Sequence, residues 1–196
     1  MGSYKTGASG YQAMHNPECC LASRMSREDQ LRRIIVETRV DANLETVLAS
    51  LNLELFRKLN PPFPPVQVLQ FDGTKKGGIT HLSLHFLLFK QQWISENVES
   101  GFQGDSIFQF VDEGKKLPFF LSFWRHTHRF EEIRSAESAV ETRILDSIEY
   151  RGRGLMGIFL QPILKMQFLY RKPVYRSISE GRFLLSEQDS QAKNKN

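Results

Sequence analysis

The feature that most constrains the fold is a change from helical to alternating hydrophobic spacing after residue 65. Beyond it, apolar and polar residues alternate with the period of two that is typical of half-buried strands. In the clearest stretch, Leu82, Leu84 and Phe86 alternate with Ser83 and His85. We predict six consecutive strands, at 66–71, 82–88, 91–100, 105–112, 118–132 and 139–150. Consecutive strands with short connections predict an antiparallel sheet.

The segments on either side of these strands complete the predicted order. Residues 31–40 are rich in β-branched side chains and predict one more strand, and apolar residues at helical spacing over 44–56 predict two short helices. Residues 155–176 predict a long helix that contains Pro162. Its predicted apolar stripe consists of Leu155, Phe159, Ile163, Met166 and Tyr170. Such a stripe needs a partner. We therefore predict an α+β fold in the order β-α-α-β6-α, a seven-stranded curved antiparallel sheet wrapped around the C-terminal helix.

The two ends of the chain differ in composition from its body. None of the 15 Phe residues occurs before Phe56. We predict a flexible leader over 1–29, one domain over 30–184 and a disordered tail over 185–196. The leader matches the myristoylation pattern, with Gly2 and Thr6, and carries adjacent Cys19 and Cys20 as candidate palmitoylation sites. The scarcity of cysteine and the lack of an apolar leader favour a cytoplasmic protein.

Charge and hydropathy exclude several classes of protein. No apolar run of about 18 residues occurs, so a transmembrane helix is not predicted. The net charge of +4 is concentrated in residues 151–182, which contain seven Lys and Arg residues and only one acidic residue, Glu180. Nucleic-acid binding would require basic residues interleaved with exposed aromatic residues, which is not the pattern here. A basic C-terminal helix leaves transient contact with an anionic membrane, or with an acidic partner, as one hypothesis.

Several short motifs resemble the bacterial ligand-binding branch of the START/SRPBCC superfamily, the helix-grip proteins that include the birch-pollen allergen. The matching residues are Phe110, Asp112, Pro118, Phe119, Trp124, His126, His128, Phe130, Thr142, Asp146, Tyr150 and Arg171. The sequence departs from the branch pattern at 139–141, where a Gly is usual before the Thr, and at Arg151, where a Pro is usual. The resemblance implies a helix-grip fold with a hydrophobic-ligand cavity and no universal catalytic residue.

The alternation of residues 124–130 predicts which side chains point inward. Trp124, His126, His128 and Phe130 share one strand face, whereas three charged or polar residues share the other. Before residue 124 the alternating apolar residues occupy odd instead of even positions. A bulge near Phe123 would bring both sets to the same face of the strand. A tight hairpin at 135–137 would place His126 opposite Asp146, and His128 opposite Ile144. His81 and His85 share a face with Ser83 and are expected to be exposed.

Three interpretations of this polar group stay open at the level of sequence. The first is a buried polar network that closes the sheet, and the second is the polar wall of a ligand cavity. The third is chemistry, with His126 and Asp146 as acid–base residues of a cyclase/aromatase-like enzyme, or with His126, His128 and Asp146 as metal ligands.

We expect non-catalytic binding of a hydrophobic or amphipathic small molecule, of lipid, polyketide or isoprenoid type, without a cofactor. The cavity is predicted between the sheet and the C-terminal helix. Its predicted lining residues are Leu84, Phe86, Phe108, Phe110, Trp124, His126, His128, Phe130, Asp146, Tyr150, Phe159, Ile163, Met166 and Tyr170.

Overall fold

The computed structural model describes residues 30–134, 140–154 and 156–183. Along the chain it contains seven strands, three α-helices and a short 3-10 helix at Ser177–Glu180. Their bounds are β1 Arg32–Val40, α1 Leu44–Ala49, α2 Leu53–Leu59, β2 Val66–Phe71, β3 Ile79–His85, β4 Lys90–Phe102, β5 Ile107–Lys116, β6 Leu121–Arg134, β7 Val140–Gly152 and α3 Met156–Arg176. The predicted element order is therefore confirmed. Among the described residues, no helix is both long enough and apolar enough to cross a membrane.

The strands form one antiparallel sheet in the order β1-β7-β6-β5-β4-β3-β2. Consecutive strands pair from β2 to β7, and β1 then adds to the free edge of β7. The sheet is seven-stranded and antiparallel, as predicted. The candidate lipidation residues Gly2, Cys19 and Cys20 lie outside the described residues, and so does the whole predicted C-terminal tail.

Side-chain caps define the two short helices. The Asn43 side chain accepts a hydrogen bond from the Thr46 backbone N–H at 2.9 Å, and Asn52 accepts from Leu55 N–H at 3.1 Å. Helices of this length are marginal by themselves, so caps and buried apolar residues must stabilise them. Val47 and Leu55 supply that burial in a core with Tyr175 of α3. Together, α1 and α2 close one end of the inner sheet face.

The helix α3 packs on the sheet through a different stripe from the one predicted. Leu160, Leu164, Phe168 and Tyr175 are buried, whereas Phe159, Ile163, Met166 and Tyr170 are exposed. The prediction that the second set faces the sheet was wrong, and Leu155 lies outside the described residues. Both stripes repeat at helical spacing, so periodicity alone did not distinguish them.

Two glycines explain which face of α3 meets the sheet. A Cβ atom added to Gly152 at the end of β7 would lie 2.3 Å from the Cα atom of Gly157. Only a pair of residues without side chains permits this approach of strand and helix backbones. Because Gly157 must face β7, the residues three and seven positions further along, Leu160 and Leu164, turn toward the sheet as well.

The pairing of β6 with β7 differs from the predicted hairpin by two residues. His126 pairs with Ile148 and His128 pairs with Asp146, so the predicted partners of both histidines were wrong. Since the shift is even, every side chain keeps its face of the sheet. The predicted bulge is present between Leu121 and Phe123. The connecting residues 135–139 lie outside the described residues.

Candidate functional site

A cavity of about 120 Å³ lies between helix α2, the inner face of strands β3 to β6 and the C-terminal half of α3. The apolar lining residues are Leu51, Leu55, Phe56, Leu59, Phe71, Leu82, Trp93, Phe110, Trp124 and Phe130. The polar lining includes Asn52, Asn60, Thr74, Thr80, Ser95, Asn97, Asp112, His126, His128, Arg171 and Tyr175. Aromatic walls with convergent polar groups are typical of small-molecule sites.

Two histidines and two aspartates form a compact group beside this cavity, the His–Asp cluster. His126 Nε2 lies 2.9 Å from Asp146 Oδ1, and His128 Nε2 lies 3.2 Å from Asp112 Oδ2. The second nitrogen of each ring approaches the other carboxylate, at 3.5 Å for His126 Nδ1 to Asp112 and 3.3 Å for His128 Nδ1 to Asp146. Each imidazole therefore lies between two carboxylates.

The strands explain this arrangement. His126 and His128 project from alternate positions of β6, and their ring centroids are 3.6 Å apart. Asp146 projects from β7 on one side, whereas Asp112 projects from β5 on the other, directly opposite His126 in register. The two histidine rings therefore stack between neighbouring strands, and one carboxylate borders them on each side.

Burial and the charges of the neighbouring groups shift the pKa values within the His–Asp cluster in different directions. Burial, reinforced by the charge on His128, lowers the pKa of His126 to about 4. Burial also opposes the charge on His128, but its contacts with Asp112 and Asp146 raise the pKa of that imidazole above its ordinary value. The same contacts outweigh burial at both carboxyls and lower the pKa of Asp112 and of Asp146. At neutral pH the carboxylates are therefore ionised and His126 is neutral, and the two carboxylates favour the protonated form of His128.

Arg171 adds a cationic group to the cavity wall. Its guanidinium lies 4.3 Å from the centre of the Phe168 ring, which orients it as a cation–π pair. Its Nε atom is buried and has no hydrogen-bond partner among the described residues. The neighbouring Tyr175 is buried, which raises the pKa of its hydroxyl and keeps it protonated. A buried donor without a partner is costly, so an acceptor in the cavity would stabilise this wall.

The predicted cavity residues fall into three groups. Phe110, Trp124, His126, His128 and Phe130 line the cavity, as Asp112 does beside them. Outside the lining, Leu84, Asp146 and Tyr150 are buried, whereas Phe86 and Phe108 are partly buried. The four exposed α3 residues, Phe159, Ile163, Met166 and Tyr170, lie on the opposite side of their element.

Sequence reasoning missed three polar groups of the site. Asp112 alternates with Phe108 and Phe110 on β5, so strand parity could have placed it inward with them. Arg171 and Tyr175 were assigned to no site, because the wrong α3 stripe turned them away from the sheet.

His81 and His85, expected to be exposed, are half-buried, and their Nε2 atoms have no partner among the described residues.

A second feature that the sequence did not indicate is an exposed apolar surface at one end of the sheet, the apolar tip. It consists of Leu87, Leu88, Phe89 and Phe119, and the two leucines are 96% and 94% exposed. The rings of Phe89 and Phe119 meet edge to face at 6.0 Å, which joins the β3–β4 and β5–β6 loops in one surface. Contiguous exposed apolar residues mark contact sites more often than scattered ones do.

Solved structures of three other proteins share this architecture. The Zhui aromatase/cyclase from Streptomyces sp. R1128 superposes with a TM-score of 0.54 and 11% identity, over 78% of this chain and 96% of its own. A truncated norcoclaurine synthase from Thalictrum flavum gives 0.52 and 12%, over 81% and 98%. A protein of Thermus thermophilus gives 0.50 and 14%, over 76% and 98%.

These likenesses, at such low identity, show the fold. It is the helix-grip fold, and the fold class predicted from the sequence is confirmed. No protein-family model matches the chain. No curated protein matches it either.

Proposed function

We propose that the protein binds a small amphipathic carboxylate, with an apolar body about the size of one aromatic ring, in the cavity beneath α2. The observation that carries this proposal is that the cavity wall has an aromatic part and a cationic part. Phe56, Phe71 and Phe130 contribute aromatic surface, and the buried Nε atom of Arg171 is a donor without a partner among the described residues. An apolar body with an anionic end satisfies both parts of the wall.

The volume of the cavity limits the size of this ligand. Pockets for drug-sized ligands have volumes of about 300–1,000 Å³, whereas this cavity has about 120 Å³. An engineered cavity of about 150 Å³ accepts benzene. We therefore narrow the expected lipid, polyketide or isoprenoid-like ligand to a molecule of one ring, or to the ring-sized end of a larger one.

Tryptophan emission offers a direct test of binding. The chain contains two tryptophans, and both Trp93 and Trp124 line the cavity, with their rings 4.7 Å apart. Titration with benzoate is expected to change their emission in a saturable way. Replacing Arg171 with Gln removes the cation and is expected to weaken benzoate binding at least about tenfold, which corresponds to 1.4 kcal/mol.

The neighbouring substitution Lys172→Gln provides the matched control. Lys172 lies on the same helix with the same charge but does not line the cavity, so its variant should bind benzoate as the natural chain does. Benzyl alcohol, which lacks the anionic end, should bind similarly to both variants. If benzoate leaves the emission unchanged, or if the Arg171 and Lys172 variants behave alike, the proposed ligand class is wrong. Native mass spectrometry of freshly purified protein adds a search for a co-purified molecule.

The acid–base alternative has less support from the site. A catalytic acid or base must reach a proton of the substrate, but the side chain of Asp146 is 1% exposed and does not line the cavity. His126 lines the cavity with a side chain that is 4% exposed. Catalysis by His126 and Asp146 stays a prediction from the sequence.

The apolar tip favours a second candidate function, reversible docking on an anionic membrane. Exposed Lys90 follows the loop that carries Leu87 and Leu88, and exposed Lys116 precedes the loop that carries Phe119, so cations border the apolar side chains. Apolar residues that enter the interface and basic residues that contact lipid headgroups reinforce each other. This surface replaces the basic C-terminal helix as our preferred contact, since Arg171 of that helix faces the cavity.

Vesicle flotation tests this docking surface. The protein is expected to float with vesicles that contain phosphatidylserine, and the double substitution Leu87→Asp/Leu88→Asp should reduce the bound fraction at least about threefold, because it places charge where apolar residues meet lipid. Leu69→Asp, at a half-exposed leucine of β2, is the control and should leave flotation unchanged. Equal flotation of all three proteins would exclude the apolar tip as the contact.

A further inference from the structure

We propose that Asp112, His126 and His128 bind a divalent transition-metal ion, of which zinc is the best fit, at the wall of the cavity. This inference goes beyond small-molecule binding and does not depend on it. All three side chains line the cavity, and one ligand atom from each lies within 4.8 Å of the others. Two imidazoles and one carboxylate form a donor set that zinc and other borderline divalent ions accept.

The distances between the donor atoms fit a tetrahedral ion. Asp112 Oδ2 lies 3.5 Å from His126 Nδ1 and 3.2 Å from His128 Nε2. In a tetrahedral zinc site the ligand atoms are about 3.3 Å apart, since the bonds to nitrogen and oxygen are about 2.0–2.1 Å long. Asp112 is therefore already at the separation from each imidazole that coordination requires, and the nitrogen atoms of the two histidines lie within 4.8 Å of each other. Strands β5 and β6 hold them without support from a loop.

Asp146 occupies the position of an outer carboxylate that orients both imidazoles. It approaches the ring nitrogen that each histidine turns away from Asp112, at 2.9 Å for His126 Nε2 and 3.3 Å for His128 Nδ1. Metal-binding histidines commonly donate their second N–H to a carboxylate, which sets the tautomer and the ring orientation. We therefore reassign Asp146, which the sequence suggested as a ligand, to the role of a positioning residue.

Three protein ligands leave a tetrahedral ion with one open position, and here that position faces the cavity. Closed sets of four protein ligands are typical of structural zinc, whereas three ligands and an exchangeable fourth are typical of reactive zinc sites. The ion would also neutralise Asp112 and Asp146, which otherwise concentrate two carboxylates in a buried space. A bound ion would present a Lewis acid to a carboxylate held by Arg171.

Titration with Co²⁺ tests the proposed metal site. Protein treated with EDTA and then desalted should bind one Co²⁺ per chain, with visible absorption bands of a four-coordinate ion that added Zn²⁺ removes. Asp112→Asn and His128→Ala are each expected to weaken binding at least about tenfold. Asp146→Asn should weaken it about 10- to 100-fold, as changes to outer carboxylates do elsewhere. Circular dichroism establishes that each variant is folded.

Two control proteins separate this site from other metal-binding residues. His15, Cys19 and Cys20 are further potential ligands in the sequence, and the proposal requires that the triple variant His15→Ala/Cys19→Ser/Cys20→Ser keep its Co²⁺ spectrum. The double variant His81→Ala/His85→Ala should keep it too, because those histidines do not line the cavity. The proposal is overturned if the natural chain binds no stoichiometric Co²⁺, if folded Asp112→Asn binds it unchanged, or if the triple variant loses it. Benzoate binding is measured without added metal, so its failure would be a separate result.

Discussion

Replacement of Asp146 by Asn is expected to lower the free energy of unfolding by about 3 kcal/mol, since loss of one partner of a buried charged pair typically costs 3–5 kcal/mol. The Asp146 side chain is 1% exposed and contacts both His126 and His128. The substitution preserves the shape of the side chain but removes its charge. His128 would keep Asp112 as its only carboxylate in the cluster. Guanidinium unfolding in the presence of EDTA, followed by tryptophan emission, measures the change.

Glu149→Gln on the same strand is the control for this experiment. Glu149 forms an ion pair with Arg33 at 3.8 Å, and both side chains have substantial exposure. Exposed pairs contribute about 0–1 kcal/mol, so this variant should unfold close to the natural chain. If the two variants lose similar stability, Asp146 is not the buried electrostatic partner that the geometry indicates.

Replacement of Phe168 by Ala is expected to cost about 4 kcal/mol, within the range for large-to-small changes at buried aromatic residues. Phe168 is 3% exposed, and its ring lies 6.3 Å from that of Trp124 and 5.0 Å from that of His126. Its removal leaves a void between α3 and β6 and removes the surface on which Arg171 stacks. Thermal and guanidinium unfolding should both show the loss.

Met166→Ala, two residues earlier, distinguishes the two faces of α3. Met166 is 66% exposed, and surface substitutions usually change stability by less than about 0.5 kcal/mol. A larger loss for Met166→Ala than for Phe168→Ala would show that the originally predicted stripe faces the sheet after all. Benzoate titration of folded Phe168→Ala then reports whether Arg171 still reaches its ligand.

The order of the secondary structure was predictable because each element has a clear hydrophobic period. Strands such as β1, with Ile34 and Val36 on one face and Arg33 and Glu37 on the other, alternate over their whole length. The packing of α3 was not predictable in the same way. Leu160 and Leu164 repeat at the same spacing as Phe159 and Ile163, so hydrophobicity offered two faces. The close approach of Gly152 and Gly157, which selects one of them, is visible only in three dimensions.

Part of the candidate site was predictable in its residues, but its contacts were not, and Asp112, Arg171 and Tyr175 were not predicted as site residues. Strand parity placed His126, His128 and Asp146 on the inner face, and the structure brings them together. The partner of each histidine depended on the length of the β6–β7 turn, which the sequence around Ser135 does not define. The second carboxylate belongs to β5, whose alignment with β6 depends on a separate hairpin. The distances from Asp112 to the two histidines, on which the proposed metal site depends, follow from the register of β5 with β6.

The pairing of β1 with β7 has a consequence for the synthesis of the chain. The first described strand pairs with the last, so β1 in the growing chain stays without this partner until β7 has been synthesised. Contacts so distant in sequence slow folding, and an unpaired strand with apolar residues is a template for association with other chains. Arg33, Glu37 and Arg39 alternate with the apolar positions and oppose that association through charge. We therefore expect the charges on the outer face of the finished sheet to oppose aggregation of the nascent chain as well.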